Sequence, residues 1–254
     1  MATNNSFLAA DISGGNTTVQ ELSRREYDSR VAVPRLLKLL EEYSIPVTFF
    51  IPAVTAQLHP EAVEAILRSP LRHEVAVYGW FQEPIIKLPA DEERRLTKKA
   101  FDFWTERLGH KPAGIRTINW NYTDATASII RDLGFLYDSS LMADDRPYEV
   151  TENSRPTGII EIPVENITDD WAYYGLGAGS FTMGDSEVLE IHEREFDGAY
   201  KEGTLFQATM HPFLMAHRSR LVMLEQLLAH MKSKPGVWFA THEQVALAAK
   251  AQMR

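Results

Sequence analysis

The chain has 254 residues, 44% of them hydrophobic and 24% charged, enough to bury one core of α/β-barrel size without staples. It contains no cysteine, which excludes disulfides and thiolate chemistry and leaves any metal to His, Asp or Glu ligands. A formal net charge of −9 argues against nucleic acid or an anionic membrane as partner, because both need clustered Lys and Arg.

The first segment, MATNNSFLAADISGG, lacks a basic region followed by a long apolar run, so no secretory signal is expected. No stretch approaches the ~20 apolar residues of a membrane span. The expected location is the cytoplasm, and the expected organisation is a single domain over residues 1–254. Short apolar runs alternate with amphipathic stretches, the pattern of β and α units around a mostly parallel sheet. Phe7 to Ala10 reads as a first strand ending at Asp11. Val33 to Tyr43 reads as a helix with Pro34 at its start. The run VTFFI, Val47 to Ile51, reads as a buried strand. A helix over Pro60 to Arg68 and a strand over Glu74 to Tyr78 follow. Ala90 to Leu108 is a long helix, acidic at its start and apolar later. Gly114 to Arg116 is a short strand. Thr123 to Leu133 is a helix stopped by Gly134. Phe135 and Tyr137 open a strand ending at Asp138. Ile159 to Val164 and Phe206 to Met210 are strands, the latter ending at His211. Leu221 to Lys232 is a helix, and Val237 to Ala240 is the last strand.

Asp11, Tyr78, Arg116, Asp138 and His211 all fall where predicted strands end. Side chains there converge on one mouth in a barrel, where barrel chemistry occurs. Each has a plainer reading. Asp11 precedes Gly-Gly turn chemistry and can be a turn residue. His211 can be a satisfied core histidine, Arg116 a buried structural ion-pair member, and Asp138 a turn residue before Ser139 and Ser140.

Several segments occur in order: VPRLLKLLEEYSIPVTFFIPA, RHEVAVYGWFQE, GIRTINW, GFLYDSSLMADDRPY and TMHP. Together they resemble the polysaccharide deacetylase (NodB-homology) family. IIEIPVENITDDWAYY, HPFLMAHRSRL and PGVWFATHEQV narrow the resemblance to its cytoplasmic branch of allantoinase-like and peptidoglycan-deacetylase-like proteins. It runs from about Phe7 to Ala248. The resemblance implies an α/β fold, a distorted (β/α) barrel with about seven strands. It also implies an Asp base, an Asp and two His holding a divalent metal, and a late His acting as general acid.

Carried over position by position, the match is mixed. Asp11 matches the base and His211 the acid, and Arg116 keeps the Arg of the family's Arg-x-Pro motif. Ser13, Tyr78 and Gln82 stand where the metal ligands are expected, and neutral Ser, Tyr and Gln are poor ligands for Zn²⁺. No catalytic metal and no other cofactor are therefore expected. His73 reads as a hydrogen-bonded residue at a strand start, and His59, His110, His192, His217, His230 and His242 as solvated. Asp169, Asp170 and Tyr173 recur in a family stretch and read as shaping a loop at the mouth or a subunit contact.

The expected function is metal-independent hydrolysis of a non-peptide, cyclic C–N amide bond in a small molecule. Asp11, His211 and Arg116 are its catalytic residues. Ser13, Tyr78, Trp80, Gln82, Asn119 and Trp120 are its substrate contacts, with Tyr78 and Gln82 hydrogen-bonding a carbonyl or oxyanion where a metal once stood and Trp80 and Trp120 walling a flat ligand. Two alternatives stay open: a metal-free lyase, isomerase or lactone/ester hydrolase on a carbonyl compound, and a non-catalytic binding protein on a decayed barrel. The expected partner is a small-molecule substrate, and the chain is expected to form a homo-oligomer, a dimer or tetramer, as its relatives often do.

Overall fold

The computed structural model describes residues 26–175 and 183–253. The predicted strand Phe7 to Ala10, with Asp11 and Ser13, lies outside the described residues.

Six strands form one open sheet among the described residues: β1 (Thr48–Ile51), β2 (Glu74–Val77), β3 (Gly114–Ile115), β4 (Tyr137–Asp138), β5 (Tyr148–Glu152) and β6 (Arg155–Glu161), in the order β1-β2-β3-β4-β6-β5. Strands β1 to β4 and β6 run parallel, and β5 is antiparallel to β6 at the edge. Parallel neighbours need crossover segments. Helix α1 (Val33–Glu42) leads into β1, and the crossovers include α2 (Ala53–Leu58), α3 (Pro60–Arg68), α4 (Ala90–Leu108) and α5 (Thr126–Leu133). The later part is helical: α6 (Trp171–Tyr174), α7 (Asp185–Glu202), α8 (Pro212–Met215), α9 (Arg218–Lys232) and α10 (His242–Gln252).

Helix α4 shows why these residues form this element. Asp91, Glu92 and Glu93 occupy its first turn and Gly109 closes it in the left-handed conformation, both favoured by the unpaired backbone groups at helix ends. Its stripe of Leu96, Ala100, Phe101 and Trp104 is buried, and each large apolar side chain so buried is worth ~1.5–3 kcal/mol. The Trp104 indole N–H donates to the Ile51 carbonyl at 3.1 Å, tying α4 to the end of β1.

The sheet register fixes what reaches the mouth. Ile51, Val77, Ile115, Asp138 and Glu161 lie in one row across five strands. Side chains alternate between faces, so Tyr78, Arg116 and Ser139, one residue further on, leave by the other face. That face carries Phe50, Ala76, Tyr78, Tyr137 and Ile160, packed against Ala246 of α10.

Two predicted strands are not formed. Phe206 to Met210 makes only an isolated parallel bridge, Asp169 to Thr209, held by Asp170 N–H to the Thr209 carbonyl at 3.1 Å and Thr209 N–H to the Thr168 carbonyl at 3.0 Å. Val237 to Ala240 is irregular and leaves Trp238 60% exposed, so its apolar letters do not mark a buried strand. The fold is of the expected α/β class, and within the described residues its sheet has six strands and does not close.

Candidate functional site

Arg116 leaves the end of β3 fully buried and spends its fork on protein acceptors. Nε donates to the Ser139 carbonyl at 2.8 Å and Nη2 to Ser139 Oγ at 2.8 Å. Nη1 donates to Thr209 Oγ1 at 3.3 Å, the His242 ring Nε2 lies 3.4 Å from Nη2, and the guanidinium stacks 4.2 Å over the Phe50 ring. A planar five-donor group used this way is a clamp. It joins β3, the segment after β4 and the Thr209 bridge through neutral acceptors, not through the ion pair that the plainer sequence reading named. His242 meets it as a neutral acceptor, since burial and the Arg116 charge hold that imidazole well below its usual range.

Tyr78 emerges beside Arg116, 3% exposed. Its hydroxyl accepts the Asn119 backbone N–H at 3.3 Å. Burial raises the phenol above its usual pKa against the pull of that hydrogen bond and of Arg116, so the hydroxyl keeps its proton and can donate it. Asn119 and Trp120 are both left-handed, with φ of 53° and 56°, a conformation that costs non-glycine residues energy and clusters at functional sites.

The centre of the site is His211. Its backbone N–H donates to Asp170 Oδ2 at 2.9 Å and its ring Nδ1 lies 2.6 Å from Asp170 Oδ1. A carboxylate only accepts, so Nδ1 carries the proton. Asp169 lies 3.6 Å from the same Nδ1. Burial by itself would lower the His211 pKa, but Asp170 and then Asp169 and Asp28 outweigh it and raise it. Burial pushes Asp169 up to about 6 despite the opposing charge of His211. Trp171, 41% exposed, sets its ring 5.3 Å from the imidazole.

Asp170 corrects the sequence reading, which gave it a loop or subunit contact. It is fully buried and both of its oxygens hold His211. The signal was the adjacent pair Asp169-Asp170, since a wholly buried carboxylate needs a charged or donor partner. Two histidines read as solvated are not. His192 is fully buried in α7, with Nδ1 2.9 Å from the Val188 carbonyl. His242 packs 5.1 Å from Phe50 and 5.7 Å from Tyr137. His73 is the hydrogen-bonded strand-start residue expected, accepting the Val47 N–H at 3.1 Å.

The other predicted contacts divide. Trp80 packs edge-on against Phe103, with Lys99 3.9 Å over its ring, so α4 takes up that indole. Gln82 is buried in a left-handed turn with φ of 71°, followed by Glu83, whose carboxylate accepts the Trp80 and Phe81 backbone N–H groups. Asn119 is exposed and Trp120 half-buried.

On the opposite face of the sheet lies a carboxyl pair, Asp138 and Glu161, both fully buried. Ser140 Oγ donates to Asp138 at 2.9 Å, and the Ser140 and Leu141 N–H groups donate to Glu161. Burial pushes Asp138 up to about 6 and Glu161 well above the usual carboxylate range, Glu161 also feeling the Asp138 charge. As like charges in low dielectric, the two carboxyls disfavour ionising together.

The polysaccharide deacetylase family model matches residues 26–137. The crystal structure of a polysaccharide deacetylase from Mycobacterium smegmatis superposes with a TM-score of 0.84 at 30% identity, covering 96% of this chain and 84% of that one. The chain belongs to the polysaccharide deacetylase family. Within the family, the Puue allantoinase structure matches with a TM-score of 0.83 at 28% identity over 93% of this chain and 78% of that chain. The peptidoglycan deacetylase of Helicobacter pylori is 26% identical over 92% of this chain and 88% of that protein. Arg116 and Tyr78 fall inside the family-model match, and Asp169, Asp170 and His211 lie beyond it.

The family resemblance implies a divalent metal held at the positions of Ser13, Tyr78 and Gln82, and the described residues do not fit one. Tyr78 is a protonated phenol with its oxygen already engaged, and Gln82 offers a neutral amide. Asp169, Asp170 and His211 bring one donor atom each within 4.8 Å of one another. A cation there would compete with the two hydrogen bonds that Asp170 already accepts from His211, at 2.9 and 2.6 Å.

Proposed function

We propose that this deacetylase-family protein is a hydrolase of a non-peptide C–N amide bond, acting through its own acid and base groups. The observation that carries the reading is the Asp170–His211 pair. Asp170 fixes the ring and the Nδ1 proton, and the raised His211 pKa leaves an imidazolium that can protonate a leaving nitrogen through Nε2. The Tyr78 hydroxyl, held by the Asn119 N–H, donates to the oxygen that becomes the oxyanion. Arg116 keeps the Ser139 and Thr209 segments in register around it. The resemblance makes Asp11 the base that activates water. Asp169, whose carboxyl titrates at about 6, is the described carboxylate at the same mouth suited to that task.

The favoured substrate is a small cyclic amide, supported by the match to an allantoinase over 93% of the chain and by a mouth without a family-type ligand set. A second substrate class, the N-acetyl group of a peptidoglycan amino sugar, is favoured by the Helicobacter pylori relative. The test is mass spectrometry of cyclic ureides and N-acetylated muropeptides incubated with purified protein and with H211A. Wild type is expected to add one water to a cyclic ureide, and H211A to add none. Equal turnover by the two proteins, or turnover of neither class, sinks the proposal.

A further inference from the structure

Asp28 stands on a single π-helical turn, Asp28–Ala32, that leads into α1. Such turns are rare and recur at functional sites. This one packs against α8, the helix that His211 begins. Tyr27 O–H donates to the Ala216 carbonyl at 3.4 Å, Arg35 Nη1 donates to the same carbonyl at 3.1 Å and to the Tyr27 hydroxyl, and the Tyr27 ring stacks on His217 at 4.8 Å. Asp28 is 4% exposed, and its Oδ1 has no hydrogen-bond partner among the described residues. It lines a cavity of about 20 Å³ with Ser29, Thr55 and His59 among other residues. Thr55 Oγ1 in that lining is likewise buried without a partner. One water needs ~10–15 Å³ and two or more polar neighbours; the cavity has the room, and Asp28 and Thr55 bring two unpartnered polar groups to an otherwise mostly apolar lining.

We propose that Asp28 is a positioning residue of the His211 site: its carboxylate favours the imidazolium, and a water shared with Thr55 in the adjoining cavity is its hydrogen-bond partner. The two groups are electrostatically coupled in both directions. His211 opposes the burial that pushes Asp28 up to about 7, and Asp28 adds to the rise of His211. The other groups facing His211 are Asp170 and Asp169. Those around Asp28 are Arg35 and Tyr27 on its own segment, His217 after α8, and His59 with its ion-pair partner Glu61 at the start of α3. The inference rests on His211 being the acid of the proposed hydrolysis, but its test needs no turnover.

The experiment is a pH titration of the ¹⁵N-histidine-labelled full chain by NMR, for wild type and D28N, with circular dichroism reporting the fold. The His211 midpoint is expected to fall by roughly one unit in D28N, the low end for loss of a neighbouring opposite charge. An unchanged midpoint in folded D28N overturns the proposal. A second measurement needs no variant: the Asp28 ¹³Cγ shift in wild type must show an inflection at the His211 midpoint, and a single independent inflection also overturns it. Full activity in H211A would instead remove the proposed function and leave this coupling intact.

Discussion

Both carboxylate oxygens of Asp170 are taken by one residue, His211, through its backbone N–H at 2.9 Å and its ring Nδ1 at 2.6 Å. The first bond fixes where the chain turns into α8 and the second fixes the tautomer of the ring. A single carboxylate thus sets both the position of His211 and the tautomer on which its proposed role as acid depends.

D170N keeps the volume but offers an amide where the ring needs an acceptor. Turnover in this variant is expected to drop by ~10²–10⁴, the usual share of a positioned acid or base. Steady-state kinetics alongside a melting curve checks it. Wild-type kcat with the fold intact removes His211 from the mechanism.

Y78F deletes one hydroxyl from a buried ring. A fall in kcat of ~10²–10³ with little change in KM is expected, the cost of losing one oxyanion donor. A rise in KM alone makes Tyr78 a substrate-binding group only.

The pH–rate profile should be bell-shaped. A raised His211 pKa means the protonated acid persists above its usual range, so activity is lost as pH rises through that value. A base at Asp169 is ionised only above about 6, so activity is lost as pH falls through 6. Measuring kcat/KM from pH 4 to 10 in wild type and D169N locates the base. Loss of the acid limb in D169N assigns it to Asp169, and persistence assigns it to Asp11.

Asp138 and Glu161 give a stability signature separate from activity. Their folded pKa values lie above the ordinary carboxylate range. The contribution is therefore complete below about 4, the unfolded value, and is lost as pH rises, through about 6 for Asp138 and above that for Glu161. E161Q cannot release that proton. Its melting temperature should fall less than that of wild type between pH 5 and 8, by a few degrees. Parallel melting curves would falsify the raised pKa of the buried pair.

G114A probes the sheet behind the site. A Cβ at Gly114 would stand 1.9 Å from the Tyr137 ring, and that ring is pinned by its hydroxyl donating to Glu74 at 2.7 Å. The expected loss is at least ~1–3 kcal/mol, the cost of overpacking a fixed core, read from urea unfolding.

Much of this was legible in the letters because local pattern and tertiary role agreed. The α3 and α4 boundaries follow from Pro60, from the DEERR start and from Gly109. Tyr78 and Arg116 reach one mouth because strand ends do so in this class of sheet, and His211 joins them from the segment after the Thr209 bridge. The sequence reading failed where partners are distant in the chain. Asp170 meets His211 across 41 residues, and the adjacent acids Asp169 and Asp170 do not say which residue they will meet. Helix α7 buries Val188, His192 and Phe196 at four-residue spacing, but a histidine read as solvated breaks that stripe. VWFA looks like a strand because β-branched and aromatic letters also fit an irregular segment with one ring in water. Asp28 carries no sequence signal at all, because its place beside His211 depends on how a π-helical turn packs.

Asn119 and Trp120 hold consecutive left-handed backbones so that one N–H can reach Tyr78. At ~1–3 kcal/mol for each such residue, the turn is a local liability that the rest of the fold sustains. Selection for thermal tolerance alone would be drawn to this turn, and Asn119→Gly would be among its easiest gains. The backbone N–H that holds Tyr78 would remain, but on a looser turn that fixes the phenol less firmly, so durability and turnover pull on this short turn in opposite directions.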